Sequence, residues 1–410
     1  MRPSFNRQAK LFLLSTILFG IAFSFWNLFF NLYILSSGFN TDVLGLIRAA
    51  PALAALAIGL PLGKIADRIG HRKAMLIGLA VGISGMIFQI VLHDQWLIVL
   101  MGILQGAGFM LYRVAQPPFI MSASDEHNRT MLFSYNFGLM TFAGMVGNLV
   151  AGQLPGMAGK FLNLPANSAA AYQLVILSGI ALGATSLIPI FLLKKSKPQN
   201  KDPGQSIQFP VLSIKQLFSQ KIISRLFLIN ILVGLGAALL IPYLNVFFRE
   251  RYAMSDQLLG ILYSLSSLLV IIGSISAPYI ARLLKSKIVT TIVTQSLSLV
   301  FLLVLGFTSA LFIAEISFLL RTVLMQLSLP LLDNFAMEVS PPGQQSTISS
   351  IRGIGWQIGQ AAGLFISGLV QTRYGFTPLF ITTAILYLIS VLLTWFSFRS
   401  KEKELSPVYG

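Results

Sequence analysis

Long apolar stretches recur along this entire 410-residue chain, and a helix of about 20 such residues crosses the roughly 30 Å hydrocarbon core of a bilayer. Only 10% of the residues are charged, whereas soluble domains carry about 25%. The sequence therefore predicts an all-α integral membrane protein. We place twelve transmembrane helices at 11–35, 45–66, 74–92, 96–121, 130–156, 171–193, 222–248, 256–282, 288–306, 309–335, 346–370 and 376–398.

The distribution of basic residues predicts the orientation of these helices. Of the 29 Lys and Arg residues, 21 lie in or beside the two termini and the even-numbered loops, against four in the odd-numbered loops. Cytoplasmic loops carry the excess of Lys and Arg in membrane proteins. We therefore expect both termini in the cytoplasm, and the net charge of +16 to meet lipid head groups and not nucleic acid.

The longest polar stretch divides the chain into two halves. It covers residues 194–221, is basic and contains three prolines. We predict an N-terminal six-helix bundle at 1–193, a cytoplasmic linker at 194–221 and a C-terminal six-helix bundle with a short tail at 222–410. Two related halves are a recurrent plan among transporters, so the bundles are expected to be pseudo-symmetric.

The loop after the second span reads "GKIADRIGHRK" and concentrates charge in an apolar chain. It resembles the G-x-x-x-D-R-x-G-[RK]-[RK] signature of the major facilitator superfamily, which occurs between the second and third helices. The resemblance, to an efflux-like branch, implies two bundles of six helices that move a solute by alternating access. The matching residues are Gly63, Asp67, Arg68, Gly70, Arg72 and Lys73.

In that family the aspartate of this loop contributes to a cytoplasmic latch that holds the outward-open state. The resemblance therefore assigns Asp67 and Arg68 to a latch. We expect Arg113, at a similar depth in the fourth span, to pair with Asp67, and a role as a substrate ligand is the alternative. Lys64, Arg72 and Lys73 also suit an anchor in anionic head groups. The latch residues are thus Gly63, Asp67, Arg68, Gly70, Arg72 and Arg113.

Polar side chains inside the spans are the candidates for a solute site, because each is costly in lipid unless it is paired or wet. Family resemblance places helices 1, 4, 7 and 10 around a central cavity. Interhelical hydrogen bonding is the alternative role for their amides and aromatics. The candidate cavity residues are Trp26, Asn27, Asn31, Gln105, Asn230, Tyr243, Asn245, Arg321 and Gln326.

Charged residues inside the spans receive separate roles. Arg321, near the middle of the tenth span, is expected to face the cavity as a partly unpaired cation, with a fixed ion pair between helices as the alternative. Glu315 and Asp333, in the same span, are the candidates for proton coupling. Arg48 and Arg352 are expected in structural ion pairs, the first with Glu315 and the second with Asp333.

Several functions are excluded by residues that the chain lacks. It has no cysteine and three histidines, none in a metal-ligand spacing. It has no phosphate-binding G-x-x-x-x-G-K-[ST] loop, so we expect a gradient of ions or substrate, and not ATP, to drive transport. We predict no cofactor, no metal and no enzymatic activity. The expected partners are a small solute, protons and the lipid bilayer, and the protein is expected to be a monomer.

Three functional hypotheses follow. The first is a proton-linked exporter of drugs or metabolites in a bacterial inner membrane. The second is a transporter of an anionic or lipid-like solute, favoured by four intramembrane arginines against few acids. The third is a non-transporting receptor on the same fold, because a fold does not determine function.

Overall fold

The computed structural model describes residues 5–163, 165, 167–194, 220–340 and 345–405. Within these residues every regular element is a helix, and there is no strand. A single 3₁₀ turn at Ile241–Tyr243 separates α8 from α9. The helices are α1 (Arg7–Ser36), α2 (Thr41–Ile69), α3 (His71–Val91), α4 (Gln95–Ser122), α5 (Glu126–Leu162), α6 (Ala169–Thr185), α7 (Leu187–Phe191), α8 (Lys221–Leu240), α9 (Leu244–Tyr252), α10 (Asp256–Leu283), α11 (Lys287–Phe307), α12 (Leu311–Glu338), α13 (Gln345–Tyr374) and α14 (Thr377–Leu405).

The helices confirm the predicted all-α membrane protein. In the described ranges, 11 segments are long and apolar enough to cross a membrane. Two of these segments are composite, because α6 continues through α7 and α8 continues through the 3₁₀ turn into α9. The eleventh predicted span corresponds to α13, which is long enough at 30 residues but more polar than the other eleven. The predicted linker at 194–221 lies almost wholly outside the described residues.

Local chemistry explains where several helices begin and end. The side chain of Asn6 caps α1 by accepting a hydrogen bond from the Ala9 backbone N–H at 2.9 Å. Ser286 caps α11 in the same way through the N–H of Val289, also at 2.9 Å. Such caps satisfy backbone donors that the first helical turn leaves free. Gly70 joins α2 to α3 with a φ of +85°, a conformation that glycine adopts without strain.

The described chain forms two compact units. The first contains α1 to α7 together with residues 245–268, which are nearly all of α9 and the first half of α10. The second contains α8, the second half of α10 and α11 to α14. In the first unit α4 packs along α2 and α3, and α1 packs along α5 and α6. In the second unit α8 packs along α13 and α14, and α11 along α12.

Close helix contacts in the first unit depend on glycine. A Cβ atom at Gly108 would lie 2.4 Å from the backbone N of Gly82 and 2.7 Å from the carbonyl O of Gly78. At Gly106 it would lie 2.4 Å from the carbonyl O of Pro51. Lipid tails are as apolar as leucine, so helices in a membrane associate largely through such tight packing. These glycines therefore hold α4 against α2 and α3.

We expect Gly108→Ala to destabilise the protein by about 1–3 kcal/mol, the usual cost of overpacking, because rigid backbone atoms of α3 cannot move aside. The thermal melting temperature in detergent measures this effect. Gly144→Ala is the matched control, since nothing lies within 4 Å of a Cβ atom built at Gly144. Equal melting temperatures for the two variants would contradict this account of the helix packing.

Candidate functional site: an aromatic cavity with an exposed arginine

A cavity opens in the first unit between α1, α4 and α5. Three helices contribute to its wall, and the side chains include aromatic rings, amides, two hydroxyls and one cation. The lining residues are Thr16, Phe19, Phe23, Phe109, Tyr112, Arg113, Gln116, Asn136 and Met140. An apolar wall with a few polar groups is the usual composition of a small-molecule site.

Three phenylalanine rings form the apolar part of the wall. Phe19 and Phe23, one turn apart on α1, have ring centroids 5.5 Å apart. Phe109 of α4 meets Phe19 edge to face at 5.4 Å and Phe23 edge to face at 6.2 Å. Offset and edge-to-face pairs of this kind are the favoured arrangements of aromatic rings. The triad therefore offers both ring faces and ring edges to a bound molecule.

Arg113 supplies the charge of the cavity. Its side chain is exposed although it belongs to α4, a membrane-spanning helix. Among the described residues of the first unit, no carboxylate lies within 4.0 Å of its guanidinium. A cation inside a spanning helix is costly unless it is paired with another group or reached by water.

Asn136 on α5 adds a hydrogen-bond donor to the same wall. Its Oδ1 accepts a hydrogen bond from the Thr16 hydroxyl at 2.9 Å, a hydroxyl that also reaches the carbonyl O of Phe12 at 3.1 Å. This contact occupies the acceptor end of the amide, so the Asn136 NH₂ group is left to donate. Arg113 and Asn136 thus present N–H donors from two helices.

The structure does not join the expected latch partners. Asp67 and Arg68 are both exposed near the end of α2, and Asp67 makes no ion pair with Arg113 in the described first unit. The space beside Gly63 is open, with nothing within 4 Å of a built Cβ atom. A latch contact in another conformational state stays a prediction.

Arg72 has a partner that the sequence did not indicate. Its guanidinium donates to the carbonyl O of Phe191, the last residue of α7. It also lies over the Phe191 ring, 5.3 Å from the centroid. A cation at the C-terminal end of a helix is stabilised by the exposed carbonyls. Arg72 therefore ties the start of α3 to the end of the sixth span, within the first unit.

The amides expected at the solute site divide into buried and exposed groups. Asn31 is fully buried, and its Nδ2 donates to Oδ1 of Asn245 at 3.0 Å. Asn245 in turn donates to the carbonyl O of Leu28 at 2.8 Å. Trp26 is buried and stacks on Phe30 with ring centroids 4.0 Å apart. Only Asn27 is exposed. The hydrogen bonds of Asn31 and Asn245 join helices, as the alternative role requires, and a part for these two residues in solute binding stays a prediction.

The remaining polar candidates are also mostly engaged within the protein. Gln105 is buried and accepts a hydrogen bond from Nε2 of Gln89 at 3.0 Å. In the second unit, the buried Tyr243 hydroxyl donates to the carbonyl O of Leu364 at 2.9 Å. Asn230 donates to the carbonyl O of Leu226, one turn earlier, at 2.8 Å, and Gln326 is half-buried on α12.

Arg321 lies in the packed interior of the second unit, which differs from the expected exposed position. Only 5% of its surface is exposed. Its Nη2 donates to the Tyr387 hydroxyl of α14 at 3.4 Å, and its own carbonyl accepts from Ser298 of α11 at 3.2 Å. The side chain is therefore directed between helices of one unit. A direct role of Arg321 in solute binding stays a prediction.

The other charged residues have distinct surroundings. Arg352 Nη2 contacts Oδ1 of Asp333 at 2.5 Å within the second unit. In the first unit, Arg48 lies over the Phe30 ring with its Cζ 5.9 Å from the centroid. Glu315 is half-buried on α12. The expected Arg48–Glu315 bridge stays a prediction.

Sequence reasoning missed two features. It did not single out the phenylalanine triad, because phenylalanine at lipid-facing and cavity-facing positions looks alike in a spanning helix. It also missed a cluster in the first unit where Asp256 accepts hydrogen bonds from Arg249 and from the Tyr172 hydroxyl, the latter at 3.1 Å. Asp256 directly follows an odd-numbered loop that carries two arginines, which was an available signal.

The family is decided by a match over most of the chain. The family model described as Major Facilitator Superfamily matches residues 12–364. The chain belongs to the Major Facilitator Superfamily. This confirms the resemblance seen in the loop between α2 and α3, and it makes the protein a transporter by family and not an enzyme.

Solved major facilitator structures share the fold. The nucleoside transporter NupG superposes with a TM-score of 0.74 at 15% identity, over 96% of this chain and 100% of that chain. A bacterial homolog of the human lysosomal transporter Spinster gives 0.75 at 13%, over 96% of both chains. A bacterial homologue of the iron transporter ferroportin gives 0.74 at 14%, over 96% and 98%. Identities this low establish the fold alone.

A curated relative matches over a shorter stretch. The multidrug resistance protein MdtG of Salmonella arizonae is 27% identical over 106 residues, which is 26% of this chain and 26% of that protein. The match thus spans about a quarter of the relative.

The asparagines of α1 provide a test of the buried amide network. We expect Asn31→Ala to destabilise the protein by about 0.6–2 kcal/mol, the range for interhelical hydrogen bonds in membranes, because it removes the donor to Asn245. Asn27→Ala, on the same helix but exposed, should leave the melting temperature unchanged. Equal losses in the two variants would contradict the assignment of Asn31 to helix packing.

Proposed function

We propose that this major facilitator protein is a secondary active exporter of amphipathic organic solutes. Its binding surface in the first unit is the cavity of α1, α4 and α5. The observation that carries the proposal is the combination of the Phe19–Phe23–Phe109 triad with polar groups on one concave wall. Such a wall suits a molecule with an apolar body and a polar end.

The direction of transport is supported by the similarity to the multidrug resistance protein MdtG over 106 residues. Its use of a gradient follows from the absence of an ATP-binding loop in the sequence. Protons are the proposed coupling ion, and Glu315 is favoured over Asp333 as the coupling group. Asp333 is engaged with Arg352, whereas Glu315 is half-buried in a spanning helix.

The proposed setting is the inner membrane of a bacterium, with both termini in the cytoplasm. The excess of Lys and Arg near the termini and the even-numbered loops supports this orientation. The protein is proposed to act as a monomer.

The test is solute flux in proteoliposomes, with a panel of amphipathic solutes and an imposed pH gradient. We expect flux that rises with the gradient, and we expect Phe109→Ala to reduce it by up to about tenfold, since an aromatic pair contributes about 0.5–1.5 kcal/mol beyond its buried area. Phe137→Ala is the matched control, because Phe137 is 53% exposed on α5 and does not line the cavity.

Three results would contradict the proposal. Absence of flux for every solute would favour a receptor on the same fold. Equal flux in the Phe109→Ala and Phe137→Ala variants would remove the cavity from the transport path. Flux that ignores the pH gradient would exclude proton coupling.

A further inference from the structure

We propose that the solute held in the aromatic cavity is an organic anion, with a planar apolar ring among the phenylalanines and an oxyanion group bound by Arg113 and Asn136. This inference rests on the proposed function and names its substrate class.

The charge of the cavity wall gives the first argument. Its lining residues include one cation, Arg113, and no acidic side chain. A cationic solute in this cavity would meet the guanidinium without a carboxylate among the lining residues to offset the repulsion. An anionic solute would instead give Arg113 a negatively charged partner, which no carboxylate in the described first unit provides.

The other three intramembrane arginines sharpen this contrast. Arg352 pairs with Asp333, and Arg321 donates a hydrogen bond to the Tyr387 hydroxyl. Arg48 lies over the Phe30 ring. Each of these side chains has a protein group that explains its place in the membrane. Arg113 is exposed on a cavity wall, which is the environment of a cation that binds a ligand.

The geometry of the donors indicates an oxyanion in preference to a halide-like point charge. A guanidinium presents N–H groups in a planar fork that matches carboxylate, sulfonate or phosphate oxygens. Asn136 adds donors from α5, and its amide is oriented by the hydrogen bond from Thr16. Donors on two helices can therefore contact two oxygens of one group.

The phenylalanine triad indicates what the rest of the solute is. Phe109 meets Phe19 and Phe23 edge to face, and a further aromatic ring packs favourably against such an array. The triad and Arg113 line one cavity, and Phe109 and Arg113 are four residues apart on α4, so they share a helix face. One molecule can thus contact both.

Three probes with the same ring separate charge from shape: naphthalene-2-carboxylate, its neutral carboxamide, and naphthalen-2-ylmethylammonium. Binding to the purified full chain is measured by calorimetry. We expect the carboxylate to bind about tenfold more tightly than the carboxamide, equivalent to about 1.4 kcal/mol, and the ammonium to bind most weakly. In Arg113→Gln the preference for the carboxylate should fall to within about twofold.

Two further variants make the test specific. Arg113→Lys should restore part of the preference, because it returns the charge without the fork. Arg373→Gln, which removes an exposed cation at the end of α13, should bind all three probes as the unmodified chain does. Gel filtration and melting temperatures verify that each variant is folded.

The inference is overturned if the carboxamide or the ammonium binds as tightly as the carboxylate, if Arg113→Gln keeps the preference, or if none of the three probes binds. The failure of the substrate class is distinguishable from that of the proposed function. Flux of other solutes that is lost in Phe109→Ala would leave the exporter standing, whereas flux that is insensitive to Phe109→Ala would contradict the exporter itself.

Discussion

A guanidinium inside the hydrocarbon layer must be paired or hydrated, and this constraint organises the polar interior of the protein. Arg352 meets a carboxylate, and Arg321 meets a tyrosine hydroxyl. Arg48 meets an aromatic ring. Guanidinium does not deprotonate in proteins, so each of these arginines keeps its positive charge and needs its partner at every pH. Arg113, exposed on the cavity wall, is where the same constraint produces a binding group.

Small residues make these placements possible. Gly106 and Gly108 let α4 approach the backbones of α2 and α3 so closely that a Cβ atom at either position would lie 2.4 Å from a backbone atom. That contact determines how α4 is rotated about its axis, and so which of its side chains line the cavity. Phe109 and Arg113 share one face of α4, while the glycines contact the neighbouring helices. Glycine packing on one side of α4 thus positions the side chains of Phe109 and Arg113 on another side.

The sequence predicted the parts of the structure that depend on length and composition. Apolar runs located the helices, and the charged motif from Gly63 to Lys73 indicated the family. Depth in the membrane also matched Asp333 with Arg352. Rotation about a helix axis was not predictable, because a spanning helix is apolar on all sides. For this reason Arg113 was expected beside Asp67, and Asn31 was expected at the solute site although it bonds Asn245.

The central claim is that Arg113 places a positive charge in a water-accessible cavity. The chain contains no cysteine, so a thiol introduced by Asn136→Cys reports on that cavity alone. Its reaction rates with anionic and cationic methanethiosulfonate reagents are compared with those of His93→Cys, in an exposed loop. The account predicts that the cavity thiol favours the anionic reagent several-fold, and that adding Arg113→Gln abolishes the preference. An unreactive thiol, or a preference that Arg113→Gln leaves unchanged, would contradict it.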